Sequence, residues 1–122
     1  MVRGDAIWIV NTDHWPRAYL RAELIERGYD AIGFETLKAA LARLALGRGA
    51  RPALLILDLH GQVLSDAVRR ALARGGVPIL AVVDAAPPAD EAPAPLAGTL
   101  HRPLTIGAIA DAVADAVAGR GR

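Results

Sequence analysis

Cysteine, lysine and aromatic residues are missing or scarce in this sequence. Among 122 residues there is no cysteine, Lys38 is the single lysine, and aromatic residues make up 4% of the chain. Without cysteine the chain cannot form disulfides, use a thiol as a nucleophile or bind a metal through thiolates. These absences exclude three classes of site, although they do not identify the compartment.

An excess of charge of either sign is also missing. The sequence has 14 basic and 13 acidic residues, which gives a formal net charge of +1, and its arginines are dispersed along the chain. Binding to nucleic acid relies on a basic stripe or patch, and none stands out here. We therefore expect no nucleic-acid partner.

Long apolar runs are absent as well. The longest run is too short to cross a bilayer, and the run that follows residues 1–5 is too short for the core of a signal peptide. A length of 122 residues suits one domain with a sizeable core. We expect a single cytoplasmic domain over residues 1–122 that has no membrane association.

The most informative stretch that is present is ALLILDLH, residues 53–60. Its continuous apolar run predicts a strand that is buried on both faces and ends at Asp58. In an open α/β sheet, ligands bind in the crevice beyond the carboxyl ends of the strands. Asp58 is therefore the first candidate for a functional residue, and the alternative is a solvated acid where a strand ends.

The rest of the chain alternates predicted strands and helices. Strands are predicted at 6–10, 31–34, 79–83 and 99–101, and helices at 15–27, 37–46, 63–73 and 106–118. Right-handed crossovers between such units give a parallel sheet with helices on both faces. Residues 84–98 break the alternation, because four prolines make a full helix there improbable.

These motifs resemble the receiver domain of two-component response regulators, the CheY-like family, over essentially the whole length. The resemblance rests on IWIVNTD, LLILDL, PILAVVDA and HRPL at four predicted strands and on the helix that follows. It implies a flavodoxin-like, doubly wound sheet of five parallel strands in the order 2-1-3-4-5. It also implies a pocket in which an acid pair, a phosphoacceptor aspartate, a Thr or Ser and a Lys surround one Mg²⁺.

The acidic part of that pocket is degenerate in this sequence. The phosphoacceptor position carries Asp58, but the acid pair is replaced by Asn11 and Thr12. Asp13 follows one residue too late to replace the pair simply. Because Mg²⁺ prefers carboxylate ligands in a strict octahedron, we expect weak Mg²⁺ binding or none.

The switch positions differ as well. Val83 stands at the Thr/Ser position without a hydroxyl, and Asp84 follows it. Arg102 stands at the lysine position, where it keeps the positive charge but is planar and forked. Pro103 keeps the family's Lys-Pro pattern, and the resemblance implies a cis bond between Arg102 and Pro103.

Two segments that the family uses are altered too. Only residues 60–62 separate the predicted third strand from the predicted third helix, which predicts a shortened loop beside Asp58. The family's fourth helix falls on the proline-rich segment 84–98, which we expect to be a loop that replaces most of that helix.

The favoured interpretation is a pseudo-receiver that binds a protein partner, either a histidine kinase or a downstream regulator, without Mg²⁺-dependent phosphorylation. It is not expected to be an enzyme. In this interpretation Asp58 pairs with Arg102 and stabilises the fold. Conventional phosphorylation of Asp58 remains an alternative.

A rival hypothesis from another class is a small enzyme or a ligand- or metal-binding protein that uses the same crevice. His14, His60 and His101 all lie near the predicted ends of strands. Alternation along the last strand points His101 away if Arg102 points inward, which leaves His14 and His60 beside Asp13 and Asp58 as the candidate metal ligands. The favoured expectation is nevertheless that no metal is bound.

The last expectation is a homodimer through the side formed by the fourth strand, the fifth strand and the final helix. Without the family's fourth helix, Leu80 or Ala81, together with Val82 and Leu100, would lie beneath a loop. Large apolar patches are rarely left exposed on monomers. The alternative is that residues 87–96 fold back and seal the gap.

Overall fold

The computed structural model describes residues 4–47, 49, 51–85 and 87–120. Five strands alternate with helices in this part of the chain. The elements are β1 (Ala6–Val10), α1 (His14–Glu26), β2 (Asp30–Phe34), α2 (Leu37–Leu46), β3 (Leu54–Asp58), α3 (Asp66–Gly75), β4 (Ile79–Val83), a 3₁₀ turn (Ala89–Glu91), β5 (Leu96–His101) and α4 (Ile106–Arg120).

The five strands form one parallel sheet in the order β2-β1-β3-β4-β5, as the resemblance implies. In β1, β3 and β4 every residue is buried, which explains why these strands appear in the sequence as unbroken apolar runs. One core cluster lies between the sheet and the helices α1 and α4. A second lies between the sheet and the helices α2 and α3. The doubly wound α/β fold is confirmed.

The start of α3 differs from its predicted position at residue 63. The helix begins at Asp66, because Ser65 accepts a hydrogen bond from the backbone N–H of Val68 at 3.2 Å and so caps it. Val63 is 89% exposed and lies outside the helix. The loop between β3 and α3 therefore runs over residues 59–65, and the predicted shortening to three residues is wrong.

The segment between β4 and β5 contains only the single 3₁₀ turn among its described residues, 84, 85 and 87–95, in agreement with its prolines. The Pro95 carbonyl accepts a hydrogen bond from the backbone N–H of Ile79 at 2.8 Å. This pairing starts β5 at Leu96, which is three residues earlier than predicted. Pro93 is fully buried, so the segment packs back onto the domain.

The strand residues that were expected to lie beneath this segment lie on the other face of the sheet. Leu80, Val82 and Leu100 belong to the core on the opposite face, under α1 and α4. All five residues of β4 are buried within the single chain. An uncovered β4 therefore no longer argues for a homodimer, and the homodimer stays a prediction. In residues 4–47, 49, 51–85 and 87–120, each helix is too short or too polar to cross a membrane.

Candidate functional site

The candidate site lies in the crevice beyond the carboxyl ends of the parallel strands. Asp58 is the last residue of β3 and is only 5% exposed, the one charged residue in the buried core of the described chain. A carboxylate in such a position is costly unless it is hydrogen-bonded and paired with a cation. Its partners therefore define the site.

Both carboxylate oxygens of Asp58 are engaged. Oδ1 accepts a hydrogen bond from the backbone N–H of His60 at 2.9 Å. Oδ2 accepts one from Nδ2 of Asn11 at 3.2 Å and forms a hydrogen-bonded ion pair with Nη2 of Arg102. The structure thus contains the predicted pair between Asp58 and Arg102.

Asn11 presents a donor to Asp58 and not a metal ligand. Its side-chain oxygen already accepts a hydrogen bond from the backbone N–H of Asp13 at 2.9 Å, so its amide nitrogen faces the carboxylate. Thr12 and Asp13 are both exposed. Of the three predicted residues of the degenerate acidic pocket, only Asn11 contacts Asp58.

Arg17 helps to hold Asn11 in place, and no pattern in the sequence indicates this role. Nη1 of Arg17 donates a hydrogen bond to the backbone carbonyl of Asn11 at 2.7 Å. The stem of Arg17 crosses Gly33 of β2, where an added Cβ would lie 3.1 Å from the Arg17 Cγ. This distance is shorter than most Cβ contacts, so glycine at position 33 leaves space for the Arg17 stem.

Mg²⁺, which the fold family implies, does not fit these residues. An amide nitrogen and a guanidinium contact the one buried carboxylate, and both are donors where a cation needs acceptors. Within the described ranges no group of three or more His, Cys, Asp or Glu side chains is arranged to hold a metal. These contacts favour an ion pair, in which Arg102 and not a metal ion neutralises Asp58.

Asp84 connects this pair to His60. Its Oδ2 lies 3.0 Å from Nδ1 of His60, and its Oδ1 lies 3.5 Å from Nη1 of Arg102. The second contact has the distance of an ion pair but lacks hydrogen-bond geometry, since Nη1 has no hydrogen-bond partner in the described chain. Sequence position alone marked Asp84 but did not reveal that it joins two loops.

The remaining predicted residues lie apart from one another. Val83 is buried, and its carbonyl accepts the backbone N–H of Arg102 at 2.9 Å, which aligns β5 with β4. The bond from Arg102 to Pro103 is cis, as the resemblance implies. His14 lies 3.4 Å from Arg17, and His101 is exposed at the end of β5. The structure therefore does not bring the histidines together.

The His60–Asp84 contact generates a prediction about pH. The hydrogen bond to Asp84 is the main cause of a raised pKa for His60, and the negative charges of Asp84 and Asp13 add to it. A raised pKa in the folded state means that protonated His60 stabilises the fold below its ordinary value of 6.5, and that this contribution is lost as the pH rises through the raised value. His60→Gln should therefore lower the unfolding free energy at acidic pH and have less effect at alkaline pH.

Urea denaturation from about pH 5.5 to pH 8.5 measures this difference. His101→Gln, which changes an exposed histidine on β5, is the matched control. In an Asp84→Asn background the effect of His60→Gln should depend much less on pH, because only the smaller influence of Asp13 remains. The same pH dependence in both backgrounds would show that Asp84 is not the partner.

Comparisons with known proteins agree with this architecture. No family model matches the sequence, and no curated protein matches it. Among solved structures, the chemotaxis response regulator CheY4 of Vibrio cholerae superposes with a TM-score of 0.74 at 19% identity, covering 93% of this chain and 98% of that one.

Two further receiver structures are similar. The N-terminal domain of a response regulator/sensory box/GGDEF protein from Carboxydothermus hydrogenoformans has a TM-score of 0.72 at 16% identity, covering 96% of this chain and 97% of that one. The beryllofluoride-activated NtrC receiver domain has a TM-score of 0.69 at 21% identity, covering 98% of each chain. The strand order, the crossovers and these superpositions together show that the chain has the fold of the CheY-like response-regulator receiver domains.

Proposed function

We propose that this domain is an atypical receiver that acts in signal transduction by binding a protein partner, without Mg²⁺-dependent phosphorylation of Asp58. The observation that carries the proposal is the ion pair between Asp58 and Arg102, in which both carboxylate oxygens are already engaged. A fold of this kind supports many functions, so the argument rests on the site.

Aspartyl phosphorylation needs a nucleophilic carboxylate and positive charge around the transferring phosphoryl group. A metal ion normally bridges the two and neutralises the developing charge. Here the amide of Asn11 supplies no charge, and the guanidinium of Arg102 is held by Asp58 itself. Attack by Asp58 would require breaking this pair first, and no carboxylate pair is there to hold the metal.

The same contacts favour a fixed surface for a partner over a switch. The Asp58–Arg102 pair joins the end of β3 to the end of β5, and Asp84 extends the contact to the loop after β3. In this proposal the domain offers one constant conformation to a histidine kinase or a downstream regulator in the cytoplasm. It catalyses no reaction.

Phosphorylation of Asp58 is the second candidate function. The observation in its favour is that Asp58 is intact at the end of β3, next to a guanidinium that can bind a phosphoryl oxygen. This candidate requires that Arg102 releases the carboxylate. A ligand that imitates the phosphoryl group distinguishes the two functions.

A thermal-shift titration with Mg²⁺ and beryllofluoride makes this test. We expect no rise in melting temperature, because a ligand stabilises only a native state that binds it. The NtrC receiver domain, which has a beryllofluoride-activated structure, is the positive control. A clear rise for the present chain, lost in Asp58→Asn, would replace our proposal with the phospho-accepting one.

The ion pair itself is tested by a double-mutant cycle. Arg102→Gln leaves a carboxylate with 7% side-chain exposure without its cation, and we expect it to destabilise the domain by about 1–3 kcal/mol. Asp58→Asn should cost less, because Arg102 is 34% exposed and can be hydrated. The double variant should cost less than the sum of both, as measured by urea denaturation. Additive costs would mean that the two side chains do not interact.

We propose more specifically that the domain forms a homodimer through β4, β5 and α4. Its support is that β5 is an edge strand of the sheet and that Leu96 at its start is 46% exposed. An open edge can pair with another chain. Sedimentation velocity at tens of micromolar chain should show a dimer, and Leu96→Lys should weaken it. A monomer at this concentration would rule out self-association and leave a different protein as the partner.

A further inference from the structure

A cavity of about 350 Å³ opens between α1 and α4, directly beside Asp58. Its apolar wall has a buried floor formed by Ile9, Ile56 and Val82 of the sheet and Leu20 of α1, and a partly buried rim formed by Leu104, Ile106 and Ile109 on the α4 side. This volume falls within the range of small-molecule sites in proteins, roughly 300–1,000 Å³. The cavity is thus large enough for an apolar group the size of an amino-acid side chain.

The polar lining of the cavity carries charges of both signs. Asp58 and Arg102 line it as an ion pair, and Asn11 and the exposed carboxylate of Asp13 lie beside them. Arg102 still has a buried nitrogen, Nη1, without a hydrogen-bond partner in the described chain. The site therefore offers carboxylate acceptors and guanidinium donors within one opening.

The charge balance of the buried pair restricts the ligand. Asp58 is 5% exposed, and the Arg102 guanidinium neutralises it, whereas the nearby carboxylates of Asp13 and Asp84 are exposed and hydrated. A ligand with a net charge would leave one charge uncompensated in a partly buried place, which is costly. A zwitterion adds no net charge and can satisfy groups of both signs, with an ammonium at the carboxylates and a carboxylate at Arg102.

We propose that this cavity binds a free α-amino acid with a large aliphatic or aromatic side chain. The side chain fills the apolar wall, the ammonium faces Asp13 and Asp58, and the carboxylate faces Arg102. The inference goes beyond the protein-binding function proposed above. It rests on that proposal only in requiring that Asp58 stays paired and unphosphorylated.

The test compares L-leucine and L-phenylalanine with analogues that each lack one group. Isothermal titration of the full chain should detect binding of at least one of the two amino acids. 4-Methylpentanoate and 3-phenylpropionate lack the ammonium, and isoamylamine and phenethylamine lack the carboxylate. Each should bind about tenfold more weakly or worse, since an unpaired charged partner is left in the site. Glycine, which has no side chain to fill the wall, should not bind.

Two variants separate the apolar wall from the charges. Ile109→Trp should fill the cavity and abolish binding, whereas Ile25→Trp, at a position on α1 that is 44% exposed, is the matched control and should bind normally. Arg102→Lys keeps the charge without the planar fork and should weaken binding.

Amide chemical shifts of the unmodified chain keep the test independent of variant folding. On titration with the tighter-binding amino acid, the shifts should cluster at Leu20, Leu104 and Ile109. Shifts elsewhere, equal binding of the single-charge analogues, or no binding of either amino acid would each overturn the inference. The beryllofluoride experiment decides the proposed function separately, so failure of the amino-acid site can be distinguished from failure of the proposed function.

Discussion

The buried carboxylate of Asp58 is the constraint on which the candidate site depends. β3 is the central strand of the sheet, so its last side chain is enclosed by the ends of its neighbours on both sides. A charge in that place must be compensated by polar or charged groups that reach it from the surrounding chain. Asn11 from the end of β1 and Arg102 from the end of β5 provide the compensation. The segments that follow β1 and β5, two strands separated by β3 and β4 in the sheet, are thereby tied to the same oxygen.

The departures from the receiver pattern make physical sense as a set. Replacing the acid pair with Asn11 and Thr12 removes the charges that would hold a cation, and Arg102 then supplies the positive charge from the protein. Its guanidinium forms several hydrogen bonds at fixed angles, whereas a lysine ammonium is a point charge. Because a lysine at position 102 would supply the same charge, the arginine changes the geometry of the pair and not its charge balance.

The fold was largely predictable from the sequence, because three central strands are continuous apolar runs and helix ends carry glycine or a capping residue. The predictions were wrong where the local sequence pattern and the contacts in the folded domain favour different structures. Val63 and Leu64 continued an apolar period, but the cap at Ser65 set the start of α3. The face of Leu80 and Val82 depends on the register of β4, which no local signal reports. In the site, Asp58 was found from its position at the end of a strand and Arg102 from the resemblance to receiver domains, but the orientation of Asn11 and the bridge through Asp84 depend on contacts between distant loops.

Gly33 shows how far the determinants of the site extend. It lies on the edge strand β2, which contributes no residue to the crevice, yet the stem of Arg17 passes over it to hold the Asn11 carbonyl. A side chain at position 33 would push the Arg17 stem aside by a few tenths of an ångström, and this would disturb one of the two contacts that hold Asn11, the other being the hydrogen bond from its backbone N–H to the Phe34 carbonyl at 3.1 Å. A small residue at position 33 therefore favours a long side chain at position 17 in a chain with this arrangement. Any attempt to transplant the Asn11, Asp58 and Arg102 arrangement into another receiver scaffold has to carry that second pair along with it.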